Sequence, residues 1–179
     1  ETIKKTFDKT KILVIGGGAI GLLCALILEK YKKCSQIFLV DPNEKRLKTC
    51  KDHLNSKTLK PDNSLIKENY FDIVFDTVGL EITRQNAIKC VNPGGVIIHI
   101  GLTQPSGTFN FRKATLQEIT FIGTYCYTNK DFEETLNLLS NNSLGSLDWI
   151  EYRDLSKGAE AFKQIHDGTC SAPKIILIP

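Results

Sequence analysis

The stretch "KILVIGGGAIGLL", residues 11–23, sets an apolar run against three adjacent glycines, with a fourth glycine three positions further on. A short β-branched run followed by a longer apolar, helix-forming segment reads as strand and then helix. Glycine tolerates backbone angles and close approaches that any side chain forbids, so the cluster between them marks a tight turn that another group approaches closely. No other feature of the chain limits its folds so strongly.

The pattern recurs. Residues 12–15, 37–40, 73–75 and 96–100 are continuous apolar runs, the mark of strands covered on both faces. Residues 19–31, 43–53 and 82–90 read as helices between them. Short alternating units of this kind imply a parallel sheet with right-handed crossovers. The polar segment 54–70 is broken by Pro61 and leaves room only for a short strand around residues 58–60. A loop, "LTQPSGTFNFRKA", leads to a strand candidate, "ITFIGTY", and a helix near residues 131–139. Beyond the turn-rich "SNNSLGS", the tail reads as strand, helix and strand, closing on "KIILIP".

The glycines satisfy G-x-G-x-x-G at Gly16, Gly18 and Gly21, after a strand and at a helix start, which is the context a dinucleotide-binding turn requires. Physics then divides the work. Gly16 makes the turn, Gly18 lets a pyrophosphate approach the backbone, and Gly21 lets helix pack on strand. Free N–H groups and the helix dipole at that end favour phosphate. A glycine-rich turn with no ligand is the plain alternative.

Asp41 ends the second strand, twenty residues past Gly21, where an acid hydrogen-bonds the adenine ribose of NAD and disfavours the 2′-phosphate of NADP. It could instead cap a helix whose first residue is Pro42. Arg46 either lies beside the adenine or ribose or is a solvated helix residue. "DTVG" (residues 76–79) and the end of "GGVIIHIGL" (residues 94–102) bring small residues to further strand ends, where open α/β sheets bind ligands.

Composition removes other classes. The 23 basic and 20 acidic residues are scattered, giving a net charge of +3 and no nucleic-acid face. The apolar run at residues 20–28 is too short to span a bilayer, and no targeting segment is visible. Six cysteines lie at least ten residues apart without metal-ligand spacing, and read as free thiols in a reducing cytoplasm. His53, His99 and His166 form no constellation, so no catalytic residue and no metal ligand is assigned. The chain starts at Glu1 and contains no Met, and is read as a fragment.

With "ILVIGGGAIGLL", "VDPNEKR", "FDIVFDTVG", "VNPGGVIIHIGL", "ITFIGTY" and "GAEAFKQIHDGTCSAPKIILIP" in this order, the chain resembles the medium-chain dehydrogenase/reductase family. The likeness is to the cofactor-binding domain of its zinc-type alcohol and polyol dehydrogenases. It implies an α/β fold with a Rossmann-type doubly wound parallel sheet over residues 1–147. It also implies that residues 148–179 form a tail that packs on a GroES-like catalytic domain, absent here with its zinc ligands. By the same resemblance Gly16, Gly18, Ala19, Ile20 and Gly21 meet the pyrophosphate, and Asp41 and Arg46 the adenosine ribose. Thr77, Val78 and Gly79 lie along the cofactor, and Ile100, Gly101 and Leu102 meet the nicotinamide carboxamide.

The implied activity is reversible hydride transfer between NAD and a small alcohol or polyol, with zinc held only by the missing domain and this chain alone inactive. The implied assembly is a homodimer or higher homo-oligomer through residues 119–125, which open on Ile119 and close on Tyr125. "KIILIP" is expected to be exposed or re-paired. A non-catalytic NAD-binding, sensing or dimerisation module, a zinc-independent reductase, and an FAD protein using the same glycines remain alternatives.

Overall fold

The first strand, β1 (Lys11–Ile15), explains its own composition. In the computed structural model, which describes residues 9–179, Ile12 and Val14 enter one hydrophobic cluster while Leu13 and Ile15 enter another. Successive strand side chains face opposite sides of a sheet, so a run without polar residues needs cover on both. On one side α1 (Ala19–Leu26) and α2 (Glu44–His53) bring Leu22, Ala25, Leu26 and Cys50. On the other, α3 (Glu81–Cys90) brings Ala87, Ile88 and Cys90.

The other strands of this sheet are β2 (Gln36–Val40), β3 (Lys57–Leu59), β4 (Phe71–Asp76), β5 (Val91–His99) and β6 (Thr120–Gly123). All pair in parallel, in the order β3-β2-β1-β4-β5-β6. Strands are added outward from β1 first on one side and then on the other, which opens a crevice at the carboxyl ends of β1 and β4. The register aligns Val40, Ile15, Asp76, His99 and Gly123 in one rank along that edge. The doubly wound architecture expected from the sequence is the one found.

Four departures have local causes. The helix expected over residues 19–31 changes hydrogen-bonding after Leu26 into a wide turn over Ile27–Tyr31, where Lys32 N–H donates to the Ile27 carbonyl at 2.9 Å. β3 lies one residue earlier than read. β5 starts at Val91, because Phe71 pairs with Val91 and Ile73 with Val96, and the intervening residues bulge out around Gly94 at φ +71°. The segment read as loop up to residue 114 ends in α4 (Phe111–Leu116), started by Asn110, whose side chain accepts from Lys113 N–H at 2.8 Å.

α5 (Asn129–Ser140) is fixed at its start by a reciprocal pair in which Thr128 and Asp131 side chains each take the other's backbone N–H. The tail follows as β7 (Ile150–Asp154), a short turn, α6 (Gly158–His166) and β8 (Lys174–Ile178). β8, the "KIILIP" segment, pairs along its length with β7 in a separate two-stranded parallel sheet and is half-buried. Buried Trp149 seats this unit in the cluster beneath α1 and α2. Among the described residues, no helix is long and apolar enough to cross a membrane.

Candidate cofactor site

Of the thirteen residues singled out for cofactor contact, Gly16, Asp41, Thr77 and Ile100 directly follow the rank residues Ile15, Val40, Asp76 and His99, seven more follow these in the adjoining turns and helix start, and Gly21 and Arg46 lie farther on, inside α1 and α2. The glycine turn shows three different environments. Gly16 has φ +107°, and its N–H donates to the Val40 carbonyl at 2.8 Å, so the turn closes against β2. A methyl group on Gly16 would lie 2.7 Å from both Thr77 Oγ1 and Val78 Cγ2. On Gly21 it would lie 1.8 Å from the Gly16 carbonyl oxygen. On Gly18 it would meet nothing within 4 Å. Two glycines are therefore required by the protein's own packing, and the third faces open space.

Gly18 is also the residue from which α1 departs, with no side-chain cap and no acid in the first turn. The first helical bond runs from Leu22 N–H to the Gly18 carbonyl at 2.9 Å. The N–H groups of Ala19 and Ile20 thus precede the intrahelical ladder, at the positive end of the helix. Ile20 is half exposed beside them.

Asp41 is 4% exposed. One carboxylate oxygen accepts from Gly17 N–H at 2.7 Å and the other from Asn43 N–H at 2.7 Å. Arg46 Nη1 lies 3.9 Å away. The plain capping alternative does not hold, since α2 begins at Glu44 and its cap is Asn43, whose side chain accepts from Lys45 N–H and Arg46 N–H. Asp41 instead ties the glycine turn to the end of β2, a bond between residues 24 apart that the spacing did not reveal. Beneath it, burial, aided by the Asp41 charge, pushes the Cys50 thiol up to about 12.

The other half of the rank is organised by Asp76, which sequence reasoning passed over. Fully buried, its carboxylate accepts from Val78 N–H at 3.1 Å, Gly79 N–H at 2.9 Å and Thr83 Oγ1 at 3.2 Å, and faces His99 Nδ1 at 3.2 Å. Its backbone carbonyl accepts from Ile100 and Gly101 N–H. Thr77 bonds back to the Ile15 carbonyl through both its N–H and its hydroxyl. Gly79, at φ +74°, and Gly101 touch back to back, since a methyl on Gly79 would lie 1.9 Å from the Gly101 oxygen. Leu102 then projects outward, 71% exposed.

The histidines make no joint site. His99 is held between Asp76 and the Phe121 ring, and His166 is exposed at the end of α6. His53 is partly buried, with Nδ1 2.8 Å from the Thr49 carbonyl and Nε2 2.6 Å from the Asp148 carboxylate. Among the described residues, no group of three or more His, Cys, Asp or Glu side chains could hold a metal ion. Among the described residues the six cysteines form no disulfide; four of them are buried, Cys24 is partly so and Cys126 is exposed.

The family model for zinc-binding dehydrogenases matches residues 19–141. The chain belongs to the zinc-binding dehydrogenase family. It is 28% identical over 173 residues to a probable D-xylulose reductase A of Neosartorya fischeri, covering 88% of this chain and 47% of that protein. To sorbitol dehydrogenase 1 of Saccharomyces cerevisiae it is 25% identical over 149 residues, covering 75% and 42%. The chain thus spans about half the length of the curated relatives it matches. Its fold superposes on acetophenone reductase from Geotrichum candidum in complex with NAD with TM-score 0.82, at 22% identity over 92% of this chain and 47% of that one. L-idonate 5-dehydrogenase from Escherichia coli gives TM-score 0.82 at 20% identity, over 97% and 51%. The medium-chain dehydrogenase/reductase resemblance read from the sequence is upheld, and the matching part is the cofactor-binding domain.

Proposed function

We propose that this chain is the NAD-binding domain of a zinc-type alcohol or polyol dehydrogenase. The observation that carries the reading is the contrast between Gly16 and Gly21, which the protein's own packing requires, and Gly18, which packing leaves open at a helix start free of acids. That opening suits a pyrophosphate, with Gly18, Ala19 and Ile20 N–H groups facing it. Asp41 accepts the ribose hydroxyls on lone pairs left after Gly17 and Asn43 are served, and Arg46 flanks them. A 2′-phosphate would bring a second negative charge against Asp41, so NAD is favoured over NADP.

The nicotinamide half falls against Val78, Gly79, Ile100 and Leu102. Bound NAD supplies the hydride acceptor, and this chain's part is to hold the ring at one place along the rank and shield it with apolar Leu102. The exchange is reversible oxidation of a small alcohol or polyol, with zinc held by a further domain carrying the metal ligands. Residues 148–179 pack on that domain, consistent with exposed Tyr152, Leu155 and Phe162.

The edge strand β6, open on one side with Phe121 and Ile122 exposed, pairs with a second copy across residues 119–125. Cysteines without disulfides suit the cytoplasm. Titration of the chain with NADH and with ADP-ribose tests the reading, since both carry the pyrophosphate and adenosine. Binding of each, weakened in Asp41→Ala, supports it, and a folded chain that binds neither refutes it.

A further inference from the structure

Between β5 and α4 the chain crosses residues 100–110 without regular structure, yet its carbonyls converge on one side chain. Arg84, on α3, donates from Nη1 to the Gly79 carbonyl at 2.9 Å and to the Gln104 carbonyl at 3.2 Å, and from Nη2 to the Ser106 carbonyl at 2.6 Å. A methyl on Gly107 would lie 2.7 Å from Nη2, so the loop is drawn tightly over the guanidinium. Glu81, one turn earlier, adds its backbone N–H to Gln104 Oε1 at 2.9 Å and its carboxylate to Thr108 N–H at 3.0 Å.

Gly79 lies in the turn after β4, whereas Gln104 and Ser106 follow β5. A planar guanidinium with five fixed donors can serve three carbonyls from two segments at once, which an ammonium cannot do with the same geometry. Because Gly79 and Gly101 touch, and Gln104 N–H returns a bond to the Gly79 carbonyl at 3.0 Å, the two segments move as one body. We propose that Arg84 is a positioning residue for the nicotinamide end of the cleft, clamping the strand-end segments that carry Val78 and Leu102. The proposal rests on the cofactor reading above. It deepens that reading by assigning the geometry of one half of the cleft to a residue outside it.

The test compares wild type, Arg84→Met and Arg84→Lys by calorimetric titration with NADH and with ADP-ribose, which lacks the nicotinamide. Amide exchange at Thr103 and Gln104 is measured without ligand. Arg84→Met is expected to bind ADP-ribose as wild type does but NADH about tenfold more weakly, with faster exchange at both amides and partial recovery in Arg84→Lys. Unchanged NADH affinity, equal loss for both nucleotides, or unchanged exchange at Thr103 and Gln104 overturns the positioning role. Failure of the folded wild-type chain to bind either nucleotide overturns the cofactor reading and the proposal with it.

Discussion

Replacing Gly18 and Gly21 by alanine separates a glycine proposed to face a ligand from one that the fold itself requires. At Gly21 the added methyl lies 1.8 Å from the Gly16 oxygen, well inside the 3.4 Å at which ordinary contact begins. Relief requires moving either the glycine turn or α1, whose Leu22 and Leu26 are fully buried. Overpacking of this kind costs about 1–3 kcal/mol, and this contact belongs at the upper end. For a chain of this size that corresponds to a drop of roughly 5–10 °C in melting temperature.

At Gly18 nothing lies within 4 Å and φ is −73°, so alanine fits without strain. Its gain of about 0.4–1 kcal/mol from a less flexible unfolded chain offsets a comparable loss as a poorer helix cap, and stability stays near wild type. NADH affinity, by contrast, falls at least about tenfold, because the methyl occupies the approach of the pyrophosphate. Thermal denaturation followed by circular dichroism, paired with NADH titration, reads both numbers. A Gly18→Ala chain that binds NADH as wild type does, or a Gly21→Ala chain as stable as wild type, refutes the division of roles.

Other outcomes are equally specific. Both ring nitrogens of His53 face acceptors, so it holds its place as the imidazolium. Burial alone would lower its pKa, but the Thr49 carbonyl and Asp148 carboxylate raise it overall, while His53 holds Asp148 below the usual carboxylate range. The clasp between α2 and the tail is therefore complete from above the ordinary Asp value of 3.8 up to the ordinary His value of 6.5. It is lost as pH rises through the raised His53 pKa. Fluorescence of Trp149, the sole tryptophan, should show that transition as pH rises past 6.5 in wild type and lose it in Asp148→Asn.

Thiol reagents should modify Cys126 rapidly in the folded chain and the other five only on unfolding. Burial raises the Cys24 and Cys90 thiols to about 11 and Cys50 to about 12, and Cys34 and Cys170 are buried. Rapid native labelling of all six would contradict the packing. Ile122→Lys should convert a sedimenting dimer to monomer without lowering the melting temperature of the monomer unit. A wild-type chain that is already monomeric at high concentration refutes pairing through β6.

What the sequence disclosed depended on the range of the interaction. Residues 12–15 and 37–40 announced themselves because burial on both faces leaves no room for polar residues, and the glycine turn because only glycine fits two of its positions. Asp41 was found by spacing, but its neighbourhood was not. Asp-Pro at 41–42 is a sound helix-start signal, but the Asp41 carboxylate is shared between Gly17 N–H, distant in sequence, and Asn43 N–H, and Asn43 caps α2. α4 has six residues and no buried side chain, with Phe111 and Leu116 largely exposed, so it carries no periodic signal. Asp76 and Arg84 escaped notice because many of their acceptors and donors are backbone groups of loops, which leave no mark on residue type. The same holds for His53, whose partner Asp148 is 95 residues away.

The glycine turn and Asp41 are proposed to form an NAD-selective cradle. Calorimetric titration of the folded chain with NADH and, separately, NADPH tests it most directly, with Asp41→Ala alongside. Such a cradle gives saturable NADH binding, weaker NADPH binding, and loss of that preference in Asp41→Ala. Equal or tighter binding of NADPH by wild type, or no binding of either by a folded chain, contradicts it.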